Sequence, residues 1–188
     1  MNLKYLIFLT SLILFSFIVQ LKSFAQSNNP SPLTFPTPKN IENMLFYLQR
    51  DPNINTAIYA INYDDNGVLD KKNPVKVYWI RYAEKGEKKD LNYIQRKFGY
   101  GVESKNIGNN EYEIHFVSYK KLPLTLSKSA IDHKYHTFAN VNQKKIQIEK
   151  IFVRIEGGTF WLPNVRYVEV SGIDLSSNKP ITERMILK

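Results

Sequence analysis

The stretch AINYDDNGVLDKKNPV, residues 60–75, has the residue types and spacing of a calcium-binding loop. Asn62, Asp64, Asn66, the Val68 carbonyl and Asp70 fall at ligand positions 1, 3, 5, 7 and 9 of such a loop, and Gly67 falls at the sharp turn in position 6. A hard divalent cation also needs negative charge. Here position 12, which should carry a bidentate Glu, is Asn73, and position 1 is an amide, so Asp64 and Asp70 are the two carboxylates in ligand positions. The flanks have strand composition, and Asp-Asn-Gly is a turn signal in its own right because Asn and Gly tolerate positive φ. The stretch is therefore either a turn, which the flanks favour, or a calcium site. The expectation is no cofactor, with calcium at this loop as the alternative.

A second candidate lies in VKVYWIRY, where Val75, Val77, Trp79 and Arg81 share one parity. If that parity faces inward, Arg81 ends an apolar row at the mouth of a sheet, where a guanidinium needs a partner or water. There it could hold the acidic group of a ligand with its planar fork, or fork onto a structural carboxylate. Tyr82, Tyr93 and Tyr100 would line the same mouth if a helix plugs one end. Trp79, Arg81, Tyr82, Tyr93 and Tyr100 are thus the candidate ligand-binding residues.

The three histidines, His115, His133 and His136, complete the chemistry-bearing set. His133 and His136 would share a metal on a helix and point apart on a strand, and DHKYH reads as loop or strand with no third ligand close by. No G-x-S-x-G elbow, H-E-x-x-H pair or phosphate loop occurs, so no catalytic residue is assigned. A hydrolase or transferase built near Arg81 and the histidines stays open, because such a site is spatial rather than local.

Strands must position these groups. LFYLQR pairs with TAIYAINY as a hairpin through the turn-rich DPNIN, and VKVYWIRY follows with Pro74 at its start. In EYEIHFVSY the residues Tyr112, Ile114 and Phe116 take one face, and Glu111, Glu113 and His115 the other, solvent face. LPLTLSK and YHTFANV are shorter candidates.

KKIQIEKIFVRIE changes phase: Ile146 and Ile148 have one parity, Ile151, Val153 and Ile155 the other. A bulge near Glu149–Lys150 would keep both sets on the core face and bend the strand. VRYVEVSGIDL and PITERMIL form a last hairpin around SSNK. One short helix is expected around 90–98, with Asp90 as cap, Leu91, Ile94 and Phe98 as apolar stripe and Gly99 as stop. The fold expected is mainly β, an antiparallel barrel or two-sheet sandwich of about eight or nine strands.

The chain's start reads as a signal peptide. Lys4 precedes the apolar run Leu6–Val19, and Ser23 and Ala25 fit a cleavage site after Ala25. As a helix that run would span about 21 Å, short of a bilayer core of about 30 Å. The expected organisation is a leader over 1–25, a flexible Pro/Ser/Asn-rich linker over 26–40, and one β-rich domain over 41–188, exported to the periplasm or secreted. Retention of the leader as an anchor is the alternative.

Loss of the leader leaves 163 of 188 residues, enough for one ordinary core. The chain has no Cys, which excludes disulfides, thiol catalysis and a lipidated cysteine. Its net charge of +9 falls by two to +7 without Lys4 and Lys22. Lysines dominate and lie in scattered pairs, a solvated surface rather than a nucleic-acid stripe, although it could touch anionic lipid peripherally.

The run from Leu45 to Val102, LFYLQRDPNINTAIYAINYDDNGVLDKKNPVKVYWIRYAEKGEKKDLNYIQRKFGYGV, resembles the opening half of an uncharacterised bacterial family, domain-of-unknown-function family 4833. RYVEVSGIDL and PITERM resemble its closing segment, so the similarity covers about residues 45–187. The resemblance implies an exported protein of Bacteroidetes type and brings no activity or catalytic residues. Three functions follow as expectations. The first is a non-enzymatic β domain binding a small apolar or amphipathic ligand or an envelope partner. The second is the hydrolase or transferase above, and the third a purely structural interaction module.

Overall fold

The phase change at Glu149 is where the fold branches. The computed structural model describes residues 34–159 and 162–186; the expected leader, and the expected linker up to residue 33, lie outside the described residues. Eleven strands follow in chain order: β1 (Met44–Arg50), β2 (Asn53–Ile61), β3 (Val75–Arg81), β4 (Glu87–Asp90), β5 (Val102–Gly108), β6 (Glu111–Phe116), β7 (Tyr119–Lys128), β8 (Tyr135–Val141), β9 (Lys144–Gly158), β10 (Pro163–Asp174) and β11 (Lys179–Met185).

The pairing path runs β4-β3-β2-β1-β9-β8-β7-β6-β5, with β10 and β11 branching from β9. One edge of β9 pairs with β10 from Ile146 to Gly158. The other edge is shared: β8 pairs antiparallel with Lys144–Gln147, and β1 pairs in parallel with Lys150–Val153. The sheet thus splits into two arms, β1–β4 and β5–β8. It curls into an open half-barrel, since no pairing joins β4 to β5 among the described residues. The expectation of a mainly β fold holds. Three of its details are corrected: there are eleven strands rather than eight or nine, the sheet is mixed rather than antiparallel, and it is neither a closed barrel nor two separate sheets.

The bulge lies where the apolar phase placed it. Ser171 of β10 faces Lys150 and Gly172 faces Ile148, leaving Glu149 as the extra residue. Ile146, Ile148 and Ile151 are consequently all buried in one core. Gly172 makes this geometry sterically allowed. A Cβ there would collide with the Gln147 carbonyl oxygen and lie 2.9 Å from its carbon and 3.1 Å from the Glu149 nitrogen.

Side chains on the inner faces of the two arms fill the core. Phe46 stacks on Tyr59 at 4.5 Å, and Phe116 of the opposite arm meets both edge-on, at 6.2 and 5.5 Å. The alternation in EYEIHF is as expected: Tyr112, Ile114 and Phe116 are buried, and Glu113 and His115 face outward. A smaller cluster, Ile58, Ala60, Tyr78 and Ile80, occupies the opposite face of β2–β3. At the start of the described chain, Phe35 packs edge-on against Phe152 at 5.2 Å, and the Pro36 carbonyl accepts from Gln49 Nε2 at 2.7 Å.

The helix expected around 90–98 is instead a single π-helical turn, Gln95–Gly99, and Asp90 ends β4 rather than capping it. Asn92 is the cap: its Oδ1 accepts from the Gln95 N–H at 2.8 Å, and Gln95 Oε1 accepts from the Asn92 N–H at 3.0 Å. Of the expected stripe, Leu91 enters the core, whereas Ile94 and Phe98 stay exposed.

These contacts generate a stability test. Gly172→Ala lowers the unfolding free energy by about 2 kcal/mol or more, because the clash is with backbone opposite the bulge. Gly67→Ala, strained by φ +73° but in open space, costs about 1 kcal/mol. Urea denaturation compares them, and equal losses would show that the branch does not depend on Gly172.

Candidate functional site

Beyond the aromatic core, the side chains of β1 and β9 and those of the opposing arm no longer fill the space between them. The space left between β1, the start of β7, β9 and β10 is a cavity of about 260 Å³, beside the π-helical turn. Leu48, Ile151, Val153, Val165 and Val168 supply aliphatic wall, and Phe98, Tyr100, Phe116 and Tyr119 supply rings. Among the described residues, the polar side chains that line it are Arg50, Tyr100, Ser118 and Tyr119. An apolar hollow with few convergent polar groups is the usual make-up of a small-molecule site.

Each wall element is fixed by local chemistry. Phe46, Leu48 and Arg50 share one parity of β1, so burial of the first two directs Arg50 to the cavity side. The turn carrying Phe98 and Tyr100 is held three ways. The Tyr100 N–H donates to the Gln95 carbonyl at 2.8 Å, Ser118 Oγ donates to the Gly99 carbonyl at 2.6 Å, and Val117 N–H donates to the Gly101 carbonyl at 3.0 Å. A Cβ at Gly101 would overlap the Arg96 carbonyl, so the close return of the chain requires glycine. The Tyr59 hydroxyl donates to the Tyr100 carbonyl at 2.9 Å. Burial raises the Tyr100 hydroxyl above its ordinary value, and the Arg50 charge beside it pulls it part of the way back.

The sequence-derived candidates divide. Trp79 and Tyr100 come together, edge to face at 4.5 Å, and both line a hollow of about 230 Å³ next to the cavity, which shares Arg50, Tyr100 and Ile155 with it. Arg81 lies outside both, ion-paired with Glu84 three residues on. Tyr82 packs against the outer cluster, and Tyr93 is exposed, its hydroxyl accepting from Lys97 Nζ at 2.9 Å. Arg50 was missed, although Phe46-Leu48-Arg50 has the same form as Val77-Trp79-Arg81: an arginine closing an apolar row.

In the 60–75 stretch the acidic groups hold turns. Asp64 Oδ1 accepts from the N–H groups of Asn66 and Val68, both at 2.9 Å, and Asp70 Oδ1 accepts from those of Lys72 and Asn73 at 2.9 and 3.0 Å. These backbone bonds hold the Asp70 carboxyl below its ordinary value. Asn62 donates its amide to Asp70 and to the Asn73 carbonyl.

The histidines are on the surface. His136 Nε2 lies 2.9 Å from Asp132 Oδ2, while Ser129 Oγ accepts from the N–H groups of Ile131 and Asp132. A nucleophilic triad needs the hydroxyl on the imidazole; here it serves the turn. His115 lies by the Lys120 carbonyl at 3.2 Å and Glu113 at 3.4 Å.

The family match extends over residues 46–184, well over half of the chain, and the chain belongs to domain-of-unknown-function family DUF4833. No curated protein and no solved structure matches it.

Two outcomes are expected from the turns. Backbone N–H bonding from Lys134, aided by His136 and Ser129, holds the Asp132 carboxyl at about 2. A group held down in this way adds stability that is complete above the ordinary carboxylate range and is lost as pH falls through its folded value. The stability difference between wild type and Asp132→Asn should therefore be full at neutral pH and vanish on acidification. Carboxyl NMR titration with denaturation at each pH checks this; a pH-independent difference would contradict it. For the 60–75 loop, millimolar calcium should leave the melting temperature in place, and a rise of more than about 2 °C would assign Asp64 and Asp70 to the ion.

Proposed function

With membership of an uncharacterised family as the premise, we propose that the chain is a non-enzymatic β domain that binds a small amphipathic ligand in the cavity between β1, β7, β9 and β10. The observation that carries this reading is the cavity itself: about 260 Å³, walled by aliphatic and aromatic side chains, with Arg50, Tyr100, Ser118 and Tyr119 as the polar side chains among the described residues. Such a wall favours an apolar body and orients it by its polar end. At roughly 30 Å³ for each water-sized group, the volume suits about nine non-hydrogen atoms. The leader-like Leu6–Val19 run with Ser23 and Ala25 supports placing this binding outside the cytoplasm. The Lys-rich surface supports at most peripheral contact with anionic lipid.

Chain length is the test. Each buried methylene is worth about 0.8 kcal/mol, up to about fourfold in affinity. Calorimetry with straight-chain alcohols should show affinity climbing with each added carbon and levelling off near eight, where carbons and hydroxyl together fill the cavity. Val165→Trp, which fills the wall, should abolish binding while the protein still melts cooperatively. Absence of binding at every chain length would sink the reading.

A further inference from the structure

Resting on the cavity reading above, we infer that the ligand is an anion, a small aliphatic or aryl-aliphatic monocarboxylate whose head group sits on Arg50. Among the described residues Arg50 is the one charged side chain on the cavity wall, and it is half-buried. No carboxylate lies within 4.0 Å of its guanidinium among the described residues. The other described arginines are either ion-paired, as are Arg81, Arg154, Arg166 and Arg184, or, like Arg96, open to water.

The lack of a partner follows from how nearby acids are used. Asp51 is adjacent in sequence and almost fully buried, yet its Oδ2 lies 2.5 Å from Arg154 Nη1 and its N–H donates to the Val153 carbonyl at 3.0 Å. Glu156 is divided between Arg154 and Arg166. The hydrogen bond Arg50 does make is long, 3.5 Å from Nη1 to the Tyr100 hydroxyl. A guanidinium has five N–H donors in a fork, so most of its donors remain for a ligand, and a half-buried cation without a counter-charge gains from one.

The head group is identified by count and geometry. The fork matches the two oxygens of a carboxylate. A phosphate head would bring more charge than one guanidinium offsets, and among the described residues no lysine lines the cavity. Tyr100 accepts from Arg50, which leaves its own proton for a carboxylate oxygen. The hydroxyl would thus bind the same head group from the side of the π-helical turn.

Calorimetry on the full chain with nonanoate and nonan-1-ol, matched in length, separates the two claims. Wild type should bind nonanoate about tenfold or more tighter than nonan-1-ol. Arg50→Met should bring nonanoate down to the level of the alcohol, with alcohol binding unchanged; if that variant does not fold, Arg50→Gln is read by the same criterion. Tyr100→Phe should keep most of the preference. Lowering the pH below the carboxyl pKa of nonanoate should remove it in unaltered protein. Octyl phosphate should bind more weakly than nonanoate. Binding of neither nonanoate nor nonan-1-ol would overturn the cavity reading. Equal binding of the two by wild type, or an undiminished preference in Arg50→Met, would overturn the anion inference alone. Tighter binding of octyl phosphate would overturn the carboxylate assignment.

Discussion

Everything in this fold hangs on one strand serving three neighbours. β9 gives one edge to β10 and splits the other between β8, antiparallel, and β1, parallel. A regular strand would turn its apolar residues to opposite faces across such a junction, because Ile148 and Ile151 differ in parity. The extra residue, Glu149, resets the phase, so that both halves of β9 present isoleucine to the same core. The reset needs a close backbone approach from β10, and Gly172 supplies it by having no Cβ.

From that junction the two arms must diverge and then face each other. Near β9 they meet through Phe46, Tyr59 and Phe116. Toward the C-terminal half of β9 the arm β5–β8 no longer pairs with it, since β8 is bonded only up to Gln147. Across the cavity, the apolar face from Ile151 onward is met by the π-helical turn, the end of β6 and the start of β7. The cavity is the space those elements do not fill. It is a consequence of the branch rather than of any local motif.

The same logic separates the two arginines. Arg50 and Arg81 each close an apolar row at a strand end. Glu84 follows Arg81 on the next turn of chain and pairs with it locally. Arg50 has Asp51 beside it, but Asp51 is drawn to Arg154 of β9, a strand about a hundred residues downstream. Parity could have flagged Arg50 as readily as Arg81. What parity does not convey is where the nearest carboxylate goes. The two strands absent from the sequence reading, β4 and β5, are the ends of the pairing path. EKKD is charged throughout, and much of VESKNIG is polar and exposed. Charged side chains suit an edge because they discourage a further strand from adding, and they also erase the alternation by which a strand is recognised. The expected helix is reduced to one turn: Leu91, Ile94 and Phe98 have helical spacing, but of the three only Leu91 is buried.

The amino-acid order by itself determined the local facts: the strands with alternating faces, the bulge at Glu149, the closing hairpin around Ser176–Lys179, the Asp64 and Asp70 turns and the absence of cysteine chemistry. Those follow from side-chain periodicity and backbone preference over a few residues. Only the tertiary structure decided the parallel pairing of β1 with β9, the open curl, the cavity and, among the described residues, the separation of Arg50 from the acids. These depend on contacts between segments far apart in the chain. Such contacts are selected by how buried faces fit together, and the spacing of residues along one segment carries no record of that fit.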